Sequence, residues 1–172
     1  MNESLFYATR QEIKVVGIIL LVIFLFFTIN VQKAQILSRD VQRKNDLKHI
    51  ASTLEDYLQD NSAYPPSKDG KIVACGDTLS PQPCNWGSDP LGQYTDRLSE
   101  DPLEYMDTYH YVYLSDTRNF QLLAHLETKS DDEYNKKVEQ RNIACGKGIC
   151  NFALANGKTP VDVDLDTIPR EN

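Results

Sequence analysis

The sequence lacks the motifs of familiar catalytic and cofactor sites. It contains only 3 histidines, and it has neither a nucleophile elbow nor a glycine-rich phosphate loop. Zinc sites need two closely spaced ligand pairs, but eight residues separate Cys75 from Cys84, and only Cys145 and Cys150 have a suitable gap. We therefore expect no catalytic residue, no cofactor and no metal ion in a protein that is not an enzyme.

Helix-breaking residues are also missing from a long stretch of the chain. No glycine or proline occurs between Gly17 and Pro65, and these two residues are the strongest interruptions of a helix. The sequence therefore predicts one continuous helix from about Glu12 to Asp60. Asn61 is the predicted left-handed cap, and the following Tyr64-Pro65-Pro66 forbids continuation.

Charge is absent from residues 15–31, of which fourteen are Val, Ile, Leu or Phe. Seventeen helical residues span about 25 Å, close to the hydrocarbon thickness of a bilayer. The run ends without the small residues of a signal-peptidase site, so it is predicted to remain as an anchor. The predicted organisation is a cytoplasmic segment at 1–14, a transmembrane helix at 15–31 and an extracytoplasmic domain at 32–172.

Beyond the anchor, the apolar residues recur at three- and four-residue steps, which is typical of an amphipathic helix. This half is predicted to bury one stripe against a sheet and to expose Glu55 on the opposite face. The stripe comprises Leu37, Val41, Leu47, Ile50, Ala51, Leu54, Tyr57 and Leu58.

The balance of charge disfavours nucleic acid as a partner, because residues 62–172 contain 11 basic and 18 acidic residues. Two signals in the sequence disagree on the orientation of the chain in the membrane. The positive-inside rule places the more basic flank, after the anchor, in the cytoplasm. The four cysteines, however, lie in loop-like sequence and favour an oxidising compartment. We give the cysteines more weight. The N-terminus is therefore expected in the cytoplasm, and the domain is expected on the other side of the cell membrane.

The cysteines form two close pairs along the chain. Short loops close most readily, so local disulfides are favoured among the three possible connectivities. These would join Cys75 to Cys84 and Cys145 to Cys150.

An antiparallel hairpin is predicted from Tyr109–Leu114 and Phe120–Leu126, both rich in aromatic and branched residues. With Thr117-Arg118 as its turn, His110 would face His125, and two imidazoles could share a metal, although a polar sheet face is the favoured interpretation. Together with the long helix, this hairpin predicts an α+β fold.

Three further elements are predicted towards the C-terminus. Residues 130–141 are expected to form a surface helix capped by Ser130, and Ile149–Ala155 is expected to form a third strand. Residues 161–166 alternate and would be either an edge strand or a loose acidic end. The acidic residues at 131–133 could hold calcium, but helix capping is the favoured explanation.

Several of these patterns together resemble the type IV pilin-like family, and most closely the major pseudopilins of type II secretion. The family carries an R-x-x-D-L-x-x-I helix, then D-N, Y-P, L-x-x-D-P and Y-x-Y. This chain has the same patterns in the same order, at Arg43–Ile50, Asp60-Asn61, Tyr64-Pro65, Leu98–Pro102 and Tyr111–Tyr113. The resemblance implies a long N-terminal helix packed on a small antiparallel sheet.

The N-terminus departs from the family's processing motif. Prepilins carry a glycine followed by Phe-Thr-Leu-Ile-Glu, whereas Tyr7 stands at the glycine position here and only Thr9 and Glu12 match. We therefore expect Met1, or Asn2 after removal of Met1, to remain the mature N-terminus. In pilins the glutamate equivalent to Glu12 neutralises a neighbour's N-terminus, which implies an assembly role for Glu12; pairing with Arg10 or Lys14 is the alternative.

The resemblance predicts a membrane-anchored structural or accessory subunit of a type II secretion or type IV pilus-type system. Its partners would be the lipid bilayer and other pilin-like subunits, including copies of itself, or the secretion machinery. The alternative is a stand-alone binding module that is tethered outside the membrane and has a pilin-like fold.

Overall fold

The computed structural model describes residues 10–77, 79–157 and 159–167, without the side chains of residues 10–12 and 166. The chain divides into two compact units, Met1–Ser38 and Arg39–Asn172. Helix α1, Arg10–Asn61, contributes to both. Within the described residues, one segment of α1 is long and apolar enough to cross a membrane, so this helix is suited to membrane anchoring by length and composition.

In the part of the chain that the structure describes, the second unit contains three small antiparallel sheets, one short helix and the C-terminal part of α1. The largest sheet has the order β4-β5-β8, with β4 at Val112–Ser115, β5 at Phe120–Ala124 and β8 at Phe152–Ala155. The other strands are β1 (Ser67–Lys68), β2 (Lys71–Asp77), β3 (Ser80–Pro83), β6 (Ala144–Cys145) and β7 (Gly148–Ile149), and helix α2 is Lys136–Gln140.

The C-terminal half of α1 packs on one face of the β4-β5-β8 sheet. Leu47, Ile50 and Leu54 are completely buried there, in one cluster with Tyr111 and Tyr113. Each such aliphatic side chain stabilises the fold by about 1.5–3 kcal/mol on burial. The predicted α+β fold, with a long helix against an antiparallel sheet, is therefore confirmed.

The other face of the same sheet is covered by the C-terminal third of the chain. Val112 and Leu123 point to this side because strand residues alternate between faces, and they pack against Val138 of α2. The disulfide Cys145–Cys150 lies in this second cluster, whereas Cys75–Cys84 lies in the first. The Cα atoms of each pair are 5.1 Å apart.

The hairpin has the predicted register but shorter strands. Val112 faces Leu123 and Tyr113 faces Leu122, as a turn centred on Thr117-Arg118 requires. Because β4 begins at Val112 and β5 ends at Ala124, the expected pairing of His110 with His125 is wrong. His125 instead stacks on Tyr109 with 4.5 Å between ring centroids.

Two predicted C-terminal elements are corrected. The helix expected over residues 130–141 is confined to α2, and its cap is Asn135 instead of Ser130. The Asn135 side chain accepts hydrogen bonds from the backbone N–H groups of Lys137 and Val138, while Asp131 is drawn to α1 by Lys44. The tail forms bends and a 3-10 turn at Leu165–Thr167 rather than an edge strand.

The boundary and exposure of α1 also differ in detail from the prediction. The helix ends at Asn61, and the left-handed residue is Ser62, with φ of 59°. Leu37 and Val41 are exposed, so the buried stripe is shorter than expected. Glu55, expected to be exposed, is half-buried, and its carboxylate accepts a hydrogen bond of 2.9 Å from the Tyr64 hydroxyl.

Candidate functional site

A buried ionic cluster surrounds Arg43 in the first turns of α1 that belong to the second unit. We call it the arginine cluster, comprising Arg39, Asp40, Arg43, Asp101 and Glu127. Both Arg43 and Asp101 have fully buried side chains, and Arg43 Nε and Nη2 donate to the two Asp101 carboxylate oxygens at 2.7 and 3.1 Å. A guanidinium is suited to such a site because its planar fork matches a carboxylate with two parallel hydrogen bonds.

The remaining nitrogen of the Arg43 fork also contacts carboxylates. Arg43 Nη1 donates to Asp40 Oδ1 at 2.9 Å and to Glu127 Oε1 at 2.8 Å. Arg39 binds Glu127 through two hydrogen bonds of 2.7 Å. The cluster therefore joins α1 to two separate loops, one before β4 and one after β5.

Asp40 extends this connection to the backbone. Its two carboxylate oxygens accept hydrogen bonds of 2.9 Å from the N–H groups of Glu127 and Thr128. These N–H groups lie just after the end of β5, where the sheet ladder no longer provides acceptors. A buried donor without an acceptor costs about 1–3 kcal/mol, so Asp40 satisfies a requirement of the loop as well as the arginine.

The electrostatics of the cluster favour its charged form. Burial opposes ionisation of Arg43, but hydrogen bonds and charges from Asp101 and Glu127 outweigh it and raise the arginine pKa. Burial also acts to raise the pKa of Glu127, whereas hydrogen bonds from Arg39 and Arg43 lower it overall. This pairing stabilises the fold above the pKa of an unfolded glutamate, and the contribution is lost as the pH falls through the lowered value.

A second ion pair lies one residue further along α1. Lys44 Nζ is 2.8 Å from Asp131 Oδ2 and 3.0 Å from Glu133 Oε2. The sequence left calcium binding open for these acidic residues, and in the structure both carboxylates contact the ammonium of Lys44. Among the described residues, no group of three or more His, Cys, Asp or Glu side chains is arranged to hold a metal ion.

The structure brings the separate family-like motifs into contact. The arginine of the helix motif, Arg43, binds Asp101 of L-x-x-D-P. Asp46 of the same helix accepts a 2.8 Å hydrogen bond from the Tyr111 hydroxyl, and Tyr113 donates to the Pro65 carbonyl, also at 2.8 Å. Burial and the neighbouring Asp46 raise the pKa of Tyr111, so its hydroxyl stays protonated as the donor.

Part of the chain matches a known protein of type II secretion. The chain is 34% identical over 95 residues to the type II secretion system core protein G of Pseudomonas aeruginosa. The match covers 55% of this chain and 65% of that protein. The chain is therefore similar to a type II secretion core protein, and it spans less than two thirds of that protein's length. The resemblance predicted from the sequence motifs is thereby confirmed. No family model and no solved structure matches the chain.

Only some residues of this site were predictable from the sequence. Arg43, Asp46 and Asp101 belong to the family-like motifs, but the sequence assigned them no partners. Arg39 and Asp40 were not predicted as site residues, because charged residues on a helix are usually interpreted as a solvated face. Glu127 was missed because it lies in a loop with no recognisable pattern. A usable signal existed: Arg43 and Asp40 lie four and seven positions before Leu47, a spacing that places all three on the same side of the helix.

The predicted assembly residue, Glu12, has a side chain outside the described residues. Its proposed role therefore stays a prediction. The four cysteines are paired in disulfides and are buried. Cys145 and Cys150 are completely buried, and Cys84 is 1% exposed.

Proposed function

We propose that this protein is a membrane-anchored, pilin-like structural or accessory subunit of a type II secretion or type IV pilus-type system. Its relationship to a structural pseudopilin supports a structural role over a catalytic one. The observation that carries the proposal is the network joining Arg43 to Asp101, Asp46 to Tyr111 and Pro65 to Tyr113. This network uses residues of the pseudopilin-like motifs to hold the long helix against the rest of the domain.

In the proposed organisation, residues 1–14 are cytoplasmic, residues 15–31 span the membrane and residues 32–172 are extracytoplasmic. The positive charge after the anchor was the argument against this orientation. Three of those cations, Arg39, Arg43 and Lys44, are paired with carboxylates of the folded domain. Paired cations have little left to offer anionic lipid, which supports placing this side of the chain away from the cytoplasm.

The disulfides give a direct test of compartment. Peptide mapping of the protein from its native envelope, without reducing agent, should link Cys75 to Cys84 and Cys145 to Cys150. Loss of either bridge should lower the free energy of unfolding by about 2–4 kcal/mol, because the unfolded chain regains freedom. Alkylation of all four cysteines before extraction, without reducing agent, would show four free thiols and contradict an extracytoplasmic domain.

Fractionation after mechanical shear tests the proposed assembly. Tagged full-length protein should appear both in membranes and in sheared filament material. Glu12→Gln should remain in membranes but be depleted from the sheared fraction, because the proposed partner of Glu12 is a neighbour's positive N-terminus. Asp56→Asn, on an exposed carboxylate of the same helix, is the matched control and should behave as the wild type.

The second candidate is a stand-alone, membrane-tethered binding module with a pilin-like fold. It is favoured by Tyr7, which replaces the glycine of the prepilin processing motif, and by Arg10 and Lys14, which stand where the family has apolar residues. Recovery of the wild type with intact membranes alone would support this candidate and contradict the first.

A further inference from the structure

Glu104 has an unusual environment in the turn that follows the arginine cluster. We call residues 100–107 the acidic turn; it contains Glu100, Asp101, Glu104 and Asp107 and includes a 3-10 turn at Glu104–Met106. Glu104 Oε2 is buried and has no hydrogen-bond partner. An ionised carboxylate oxygen that is buried without a donor is costly, so this side chain suits its environment in the protonated form.

The groups around Glu104 increase this cost. On its own turn it faces the carboxylates of Asp101, Glu100 and Asp107, and from β2 it faces Lys71. Lys71 acts to lower the pKa of Glu104, but burial and the carboxylates outweigh it. Asp101 is ionised and forms an ion pair with Arg43. A negative charge on Glu104 therefore meets repulsion from three carboxylates and attraction from one ammonium.

The acidic turn is fastened at both ends. At its start, Asp101 Oδ1 accepts a 2.8 Å hydrogen bond from the N–H of Leu103 while also binding Arg43. Just beyond its end, the Thr108 carbonyl accepts a 2.8 Å bond from the N–H of Lys147 in the Cys145–Cys150 loop. Movement of Glu104 towards water would strain the segment between these two attachments.

We propose that the acidic turn responds to pH. It stays closed against the rest of the domain while Glu104 is protonated, and it opens when Glu104 ionises. Opening would uncover the contacts beneath a turn that already exposes Tyr105 and Met106, at 80% and 56%. The proposal concerns the domain itself and does not depend on assembly into a filament.

The direction of the pH dependence follows from the folded carboxyl. Burial, followed by repulsion from Asp101 and Glu100, raises the pKa of Glu104 to about 7. An unfolded or open turn would have the ordinary value near 4.3. The closed form thus binds the extra proton, and its stability is greatest at low pH and decreases as the pH rises between these two values.

Hydrogen exchange of the full-length protein in detergent micelles tests this proposal. The N–H groups of Asp107 and Thr108 bond to the carbonyls of Glu104 and Leu103, so they report opening of the turn. After correction for intrinsic exchange, opening should rise about tenfold or more from pH 5 to pH 7. Glu104→Gln should abolish this rise, whereas Asp56→Asn should retain it.

A carboxyl NMR titration provides an independent measurement on the unmodified protein. A midpoint for Glu104 near 7 would support the proposal, and a midpoint near the ordinary glutamate value would overturn it even if the glutamine variant failed to fold. An opening constant that stays flat from pH 5 to pH 7, or one that still rises in Glu104→Gln, would also overturn it.

Discussion

Replacement of Arg43 by methionine should lower the free energy of unfolding of the domain by about 3–5 kcal/mol. Methionine keeps much of the arginine's length and apolar contact, so the change isolates the guanidinium. Its removal leaves Asp40 and Asp101, both with fully buried side chains, without the cation that faces them. Chemical denaturation of the full-length protein in micelles, followed by circular dichroism, would measure the loss.

The matched control is Arg97→Met. Arg97 also pairs with a nearby carboxylate, at 2.9 Å from Glu100, but its side chain is 63% exposed. Exposed ion pairs contribute about 0–1 kcal/mol, so this variant should unfold close to the wild type. Equal losses in the two variants would contradict a special role for the buried cluster.

Arg43→Lys separates charge from geometry at the same position. A lysine ammonium retains the positive charge but cannot form the paired hydrogen bonds that Nε and Nη2 make with Asp101. We expect a loss between those of the methionine variant and the wild type. A lysine variant as stable as the wild type would mean that charge alone holds the loops, without the planar fork.

The elements that were predictable from sequence are those set by a repeating pattern. The absence of Gly and Pro after Gly17 and the spacing of Leu47, Ile50 and Leu54 predicted α1 and its buried face. The strands and turn of the hairpin predicted the register that pairs Val112 with Leu123. In each case, a local preference and a burial preference require the same structure.

The elements that sequence missed are set by contacts between distant residues. Asp131 could have capped a helix, but Lys44, from 87 positions earlier, binds it, and the helix begins later at Asn135. The same limit applies to the arginine cluster. Arg43 and Asp101 are 58 positions apart, and no helical or strand period relates them. From sequence alone, a charged side chain is therefore interpreted as exposed, because its partner is brought close only by the fold.

Replacement of Ile50 by aspartate should disrupt the second unit. Ile50 is completely buried between α1 and the sheet, in the cluster that contains Tyr111 and Tyr113. An aspartate there loses the apolar contact and also places a carboxylate among apolar side chains without a cation. We expect a cost of several kcal/mol, beyond that of a cavity alone, because an unpaired buried charge exceeds the loss of methylene groups.

The comparison that decides this prediction is Ser52→Asp, which introduces the same side chain on the exposed side of the same helix. Glu55→Lys is unsuitable because Glu55 accepts the Tyr64 hydroxyl hydrogen bond. Thermal melts of the two full-length aspartate variants in micelles should differ by roughly 10 °C or more, with Ser52→Asp close to the wild type. Equal melting temperatures would mean that this half of α1 does not support the sheet. The buried contact between helix and sheet, on which the pilin-like interpretation of the fold depends, would then be excluded.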